Sequence, residues 1–120
     1  MKIEIGVHHV GLNVRDLDAC VRFYVDGLGL VPIERPDFGF AGAWLQAGRQ
    51  QVHLLVQPDG APAPPGQHFA FEVEGLDAAI ADLRARGIEV SDAFEIPGVG
   101  RQAFLRDPDG NAIELNEPRR

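Results

Sequence analysis

His9-Val-Gly-Leu-Asn-Val-Arg-Asp-Leu-Asp-Ala19 returns 59 residues later as His68-Phe-Ala-Phe-Glu-Val-Glu-Gly-Leu-Asp-Ala78. Leu17 falls on Leu76, Asp18 on Asp77 and Ala19 on Ala78. A second match, Val52-His53-Leu54 against Ile113-Glu114-Leu115, has a shift of 61 residues, and Trp44 falls on Phe104 at a shift of 60. Self-similarity at a nearly fixed spacing means that one supersecondary unit has been used twice, and this decides the architecture. Each copy carries two side chains able to bind a metal ion: His9 and His53 in the first, His68 and Glu114 in the second.

Working outward from the repeat, Ile3 to Val14 alternates as a strand and Arg15-Asp16 ends it. Asp16 or Asp18 caps a helix with apolar positions Leu17, Cys20, Val21 and Tyr24. Gly27 and Gly29 stop it. Leu30 to Glu34 is a strand confined by Pro32 to an edge. Phe38 to Ala47 and Gln50 to Gln57 are two more, joined at Gly48-Arg49. The second half repeats the order: a strand over Gln67–Val73, a helix over Leu76–Arg86 closed by Gly87, then strands over Ile88–Ala93, Gly100–Arg106 and Asn111–Glu117. Asp107-Pro-Asp-Gly-Asn111 is a tight turn. The expected fold is α+β, one domain over residues 1–120. Module one spans 1–57, an extended Pro-rich link 58–66, and module two 67–120, each module reading β-α-β-β-β.

Strand alternation then assigns faces. Val10, Leu12 and Val14 oppose His9, Gly11 and Asn13; Val52, Leu54 and Val56 oppose Gln51, His53 and Leu55; Ile113 and Leu115 oppose Ala112, Glu114 and Asn116. The apolar sets belong under the helices. His9, His53, His68 and Glu114 therefore land on the face away from them, one per strand, and sheets curved around a shared concave face would gather all four. Imidazole and carboxylate donors suit Zn, Fe, Mn, Co or Ni better than Ca or Mg. A lone histidine reads as a satisfied polar residue in a sheet, but four donors at matched positions of a duplicated unit read as a metal set. His8 is expected on the opposite face, as a structural residue.

Composition narrows the alternatives. The 120 residues carry a net charge of −7, which excludes a nucleic-acid partner, since phosphate binding needs a positive field. The single cysteine, Cys20, permits no intrachain disulfide and reads as a small buried residue. No apolar run approaches the roughly 20 residues of a membrane span, and Met1-Lys-Ile-Glu-Ile does not resemble a signal peptide. A cytoplasmic protein is expected, with a small-molecule substrate.

These residues resemble the glyoxalase, bleomycin-resistance and extradiol dioxygenase superfamily, the vicinal oxygen chelate proteins. The resemblance rests on His9-Val-Gly-Leu-Asn-Val, Asp16-Leu, Phe23-Tyr24 before Leu28-Gly-Leu, His68-Phe-Ala-Phe-Glu-Val, and Asp107-Pro-Asp-Gly-Asn before Ile113-Glu-Leu. It covers nearly the whole chain and does not single out a member. It implies paired β-α-β-β-β modules forming a curved mixed sheet around a metal-binding cleft, usually in a homodimer. It carries ligands onto His9, His68 and Glu114. The position of His53 is glutamate in typical glyoxalases I and glutamine in methylmalonyl-CoA epimerases, so His53 is either a fourth ligand or a general base. With Glu114 as the one carboxylate, a divalent ion keeps a formal charge of +1, which favours anionic oxygen pairs such as enediolates, catecholates or α-hydroxy acids.

Three functions are compatible with that set. The first is a metal-dependent lyase, isomerase or epimerase acting on a vicinal-oxygen metabolite, with Glu114 and His53 as its acid–base groups. The second is an Fe(II) ring-cleaving dioxygenase using His9, His68 and Glu114 as a two-His-one-carboxylate face. The third is a bleomycin-resistance-like protein that sequesters a drug or metabolite without turnover. The stretch Phe94–Arg101 lacks the Lys, Ser and Tyr cluster of phosphonate-binding fosfomycin-resistance relatives. Further substrate-facing candidates are Asn13, Trp44, Gln46, Gln51, Gln102 and Phe104. Arg35 and Arg101 read as solvated surface, or as partners for a carboxylate.

Overall fold

Asp16, in extended conformation, starts the first helix: its carboxylate accepts the Ala19 backbone N–H at 3.0 Å, the first-turn cap that aspartate supplies well. The computed structural model describes residues 1–60 and 63–120. Of the predicted 58–66 link, Ala61 and Pro62 lie outside the described residues. The chain divides into two units, Met1–Ala61 and Pro62–Arg120.

The first unit runs β1 (His9–Val14), α1 (Leu17–Arg22) with one π-helical turn (Phe23–Gly27), β2 (Val31–Ile33), β3 (Gly42–Ala47) and β4 (Gln50–Val56). Its sheet order is β1-β4-β3-β2, with β1 parallel to β4 and the other pairs antiparallel. The second unit runs β5 (Phe69–Glu72), α2 (Leu76–Ala85), β6 (Phe94–Ile96), β7 (Gly100–Arg106) and β8 (Ala112–Pro118), with order β5-β8-β7-β6 and β5 parallel to β8. The duplicated β-α-β-β-β topology is thus present in full. The helix carries the chain across the sheet to the far edge strand, and two antiparallel steps bring the last strand back as the parallel neighbour of the first.

In each unit the helix covers the sheet's apolar face. α1 packs on β3, and α2 on β7 and β8. Val14, Cys20, Tyr24, Leu45, Val52 and Leu54 are fully buried in the first unit, as are Leu76, Ala103 and Ile113 in the second. Gly87, at φ +78°, closes α2, and the Ile88 N–H returns to the Leu83 carbonyl at 3.0 Å. Among the described residues no helix is long and apolar enough to cross a membrane.

Besides shifts of one residue at the ends of β2, β4, α2 and β8, four boundaries differ from the sequence expectation. Residues 3–8 are not in β1: partner strand β4 begins at Gln50, the Gln51 N–H to His8 carbonyl bond ends the pairing, and Ile3, Ile5 and Val7 are exposed. Residues 38–41 precede β3, because the Asp37 carboxylate accepts the Gly39 N–H at 2.8 Å and turns the chain. Residues 88–93 do not pair as a strand. Ser91 meets β7 alone, its N–H donating to the Phe104 carbonyl and its hydroxyl accepting the Phe104 N–H, and regular pairing begins at Phe94. Finally, β5 starts at Phe69, one residue after His68.

Candidate metal-binding half-sites

β1 and β4 bring the two histidines of the first unit together. Parallel register sets Gly11 beside His53 and His9 beside Gln51, so the two rings are offset by one pleat on the same face. Their centroids are 4.0 Å apart with planes 14° from parallel. On the other side of His53, Trp44 of β3 stands directly opposite and stacks at 4.3 Å and 9°. His53 is therefore held between an imidazole and an indole. Its Nε2–H donates to Gln51 Oε1 at 2.8 Å, which fixes the ring about its remaining axis. Burial of the ring, followed by the nearby charges of His9, His8 and Arg35, holds its proton affinity below the ordinary histidine value. At neutral pH His53 thus carries a lone pair, the form a ligand or a base requires.

His8 departs from its predicted place. It precedes the strand, where alternation does not apply, and its Nδ1 is 2.9 Å from Nδ1 of His9. One ring donates to the other, and Nε2 of His9 takes no part in that bond.

The second unit pairs an imidazole with a carboxylate. Glu114 of β8 is 6% exposed, although its side chain is ionisable. One of its oxygens accepts the Asn116 side-chain N–H at 2.8 Å, and the other lies 3.1 Å from His68 Nε2. The opposite nitrogen of His68, Nδ1, donates to the Gly66 carbonyl at 3.0 Å. Both ring nitrogens consequently face oxygens that only accept. An imidazolium ring serves both with its two N–H groups; a neutral ring has one N–H, and with Nδ1 donating to Gly66 its Nε2 lone pair faces the carboxylate. A cation between the two serves both, and a carbonyl on the far nitrogen is the usual support of a metal-binding histidine. On this chemistry the residues fit a divalent ion. Phe104, opposite Glu114 on β7, meets the His68 ring edge-to-face at 5.5 Å.

The structure brings together His9 with His53, and His68 with Glu114. A group of three or more metal-ligating side chains is not formed among the described residues. Of the softer candidates, Trp44, Gln51 and Phe104 touch the histidine of their own unit. Gln46 instead holds the β3–β4 turn, its side-chain N–H donating to the carbonyls of Gly48 (2.8 Å) and Gln50 (3.0 Å). Asn13 is exposed on β1, and Gln102 is half-buried beside Phe94 and Asn116. Arg101 meets its own chain's Asp77 at 2.7 and 3.1 Å, which holds that carboxyl below its usual range, with Glu117 at 3.6 Å. Asn116 was missed in the sequence, as was the Gly66 carbonyl. For the first a signal existed: each unit places an amide side chain two residues from a ligand, Gln51 before His53 and Asn116 after Glu114, on the same face of the strand.

Comparison with known proteins bears on the family and the fold. A sequence model of the Glyoxalase/Bleomycin resistance protein/Dioxygenase superfamily matches residues 6–115. Glyoxylase I 4 of Arabidopsis thaliana is 33% identical over 120 residues, covering 92% of this chain and 69% of the relative. The crystal structure of a glyoxalase family protein from Bacillus anthracis superposes with a TM-score of 0.87 at 31% identity, over 99% of this chain and 100% of that one. TnmS3, an antibiotic binding protein from Streptomyces sp. CB03234, superposes at 0.79 with 29% identity over 99% of each chain. With its duplicated topology and a matched run spanning nearly its full length, the chain belongs to the glyoxalase/bleomycin resistance protein/dioxygenase superfamily.

Proposed function

We propose that this protein is a metal-dependent enzyme, a lyase, isomerase or epimerase, acting on a small metabolite with two vicinal oxygens. His9, His53, His68 and Glu114 hold one divalent ion, from Zn, Fe, Mn, Ni or Co, in a cytoplasmic homodimer. The observation that carries the reading is the pairing of His68 Nε2 with the buried carboxylate of Glu114, the one held from behind by the Gly66 carbonyl and the other by the Asn116 amide. The bound ion supplies Lewis acidity toward an oxygen pair. The chain's own residues do the rest. Gly66 fixes which nitrogen of His68 is presented, and Asn116 fixes the carboxylate of Glu114. Gln51, Trp44 and His9 lock the His53 ring. Its lowered proton affinity leaves His53 able to accept a proton from carbon if it is not itself a ligand.

The test is metal content and exchange. Protein purified without a metal-affinity column should take up about one divalent ion per set of four donors. His68→Ala and Glu114→Gln should each weaken uptake by roughly 10- to 100-fold or more. Failure of all five metals to bind would end the reading. Deuterium incorporation from solvent into 2-hydroxy acids or hemithioacetals then reports carbon-proton abstraction. Oxygen uptake with Fe(II) and catechols instead would mark the ring-cleaving alternative. A sequestering role is favoured by one observation, the exposed aromatic rings of Phe38, which lies beside Trp44, and of Phe40, which lies beside Phe38. Under it, a ligand binds His68→Ala as tightly as the unaltered protein.

A further inference from the structure

Arg35 follows β2 and is half-buried, although Glu34, Pro36 and Asp37 around it are exposed. Its guanidinium carbon lies 4.9 Å from the ring centre of Phe38 and 5.0 Å from that of Phe40. Its Nη2 rests over Gly42, where a Cβ would come within 2.9 Å of it, so the missing side chain makes its bed. Among the described residues no carboxylate lies within 4 Å of this guanidinium, in a chain with 18 acidic residues against 11 Lys and Arg. Arg101, by contrast, is neutralised by Asp77. Two aromatic faces hold a guanidinium in place without cancelling its charge, and leave its planar N–H fork available to an oxyanion.

The same rings lead to the half-site of the first unit. Phe38 lies 5.9 Å from Trp44, which stacks on His53 at 4.3 Å. Phe38 and Phe40 are 52% and 44% exposed, a large open aromatic surface for a chain of this size. The second unit has a comparable aromatic pair, Phe94 stacked on Phe104 at 6.0 Å, but among the described residues no arginine lies over it. The charge has been added to one copy of the duplicated unit only.

We propose that Arg35, Phe38, Phe40 and Trp44 form a subsite for a small aryl carboxylate. Arg35 takes the carboxylate by paired N–H donors, and the aryl ring lies on the Phe38 and Trp44 faces. The subsite deepens the metal-dependent reading, on which its catalytic relevance rests, by naming an aromatic acid as the substrate class. Its binding step needs no metal, and so the two readings can fail separately.

Trp44 is the single tryptophan, and its fluorescence reports this place alone. The probes are phenylacetate and its neutral isostere phenylacetamide, titrated with excitation beyond the absorption of either, once in EDTA and once with Zn²⁺. Saturable fluorescence change with phenylacetate is expected, with the amide weaker by roughly tenfold or more, in both conditions. Arg35→Gln should bring the acid to the affinity of the amide, while Arg35→Lys, which keeps the charge without the fork, should retain a preference of about threefold. Phe38→Leu should weaken both probes alike. Equal binding of acid and amide, no saturable binding of either, or an unchanged preference in Arg35→Gln overturns the subsite. If that happens while Zn²⁺ still binds, the metal reading stands; if the preference holds in EDTA and no metal binds, only the metal reading falls.

Discussion

Removing the carboxylate of Asp107 should cost the second unit a large part of its stability, because that side chain builds the turn into β8. Asp107 is 4% exposed. One of its oxygens accepts the backbone N–H groups of Asp109 and Asn111, each at 2.9 Å, and the other accepts the Asn111 side-chain N–H at 2.8 Å. Asn111 is itself buried, at 5% exposure. Asp107→Ala therefore deletes three hydrogen bonds to a charged acceptor, two of them from the buried Asn111. A hydrogen bond to a charged group contributes about 1.5–3 kcal/mol, and such bonds in one network are not additive. A loss of roughly 3–5 kcal/mol follows, against a total of about 5–15 kcal/mol for a domain. For a chain of this length that lowers Tm by on the order of 10–20 °C. Urea titration and calorimetry read it directly. Asp92→Asn, at an exposed pair with Arg84, is the control and should change stability by less than about 0.5 kcal/mol. A measured loss under about 1 kcal/mol for Asp107→Ala, with unfolding still cooperative, would refute the reasoning.

Asn116→Ala removes the donor to the buried Glu114 and should weaken divalent-metal binding by roughly 10- to 100-fold in a calorimetric titration, with a loss of about 1–3 kcal/mol in the apo protein's urea stability. Leu54→Ala, at a fully buried position of β4, should lose about 2–5 kcal/mol by chemical denaturation, and Leu55→Ala, half-buried on the other face, clearly less. His53 has its proton affinity lowered on folding, so the unfolded chain binds more protons just below the ordinary histidine value of about 6.5. Stability contributed by this residue is complete above that pH and is lost as pH falls through the depressed value. Urea midpoints between pH 5 and 8 should rise with pH, and His53→Gln should flatten part of that slope; an identical slope in the variant would count against a buried, neutral His53.

The duplicated topology was legible because the repeat fixes both the order of elements and, through period-two alternation, the faces they present. His9, His53 and Glu114 sit on the predicted face for that reason. What alternation cannot supply is the extent of a strand, which depends on whether a neighbour is present. Residues 3–8 have a strand's pattern and lose it where β4 ends. Residues 88–93 lose it where Ser91 substitutes its hydroxyl for a backbone partner. Supporting groups were similarly hidden. The Gly66 carbonyl is a backbone atom with no side-chain signature, and the Arg35 bed exists only because Phe38, Phe40 and Gly42 approach one another after Asp37 turns the chain. Gln46, read from its polarity as facing a ligand, is instead used by its own hairpin, a competition that side-chain type alone does not reveal.

The two units have kept the same skeleton and diverged in how they hold a donor pair, and the difference has a chemical direction. In the first unit His53 is locked by stacking, between His9 and Trp44, with only one polar contact on its ring. Stacking orients a ring while adding no negative charge, and burial beside other cationic groups keeps the imidazole neutral. In the second unit His68 is oriented by the Gly66 carbonyl and Glu114 by the Asn116 amide, so this pair contains a carboxylate where the first has two imidazoles. In the proposed set of four donors a single negative charge would leave a divalent ion electrophilic, whereas two carboxylates would neutralise it. Arg35, positive and confined to the first unit, lies on the same side of that balance. On the subsite proposed above, Arg35 would supply a local positive charge beside the half-site of the first unit, in a chain whose net charge is −7, and small anions would be its ligands.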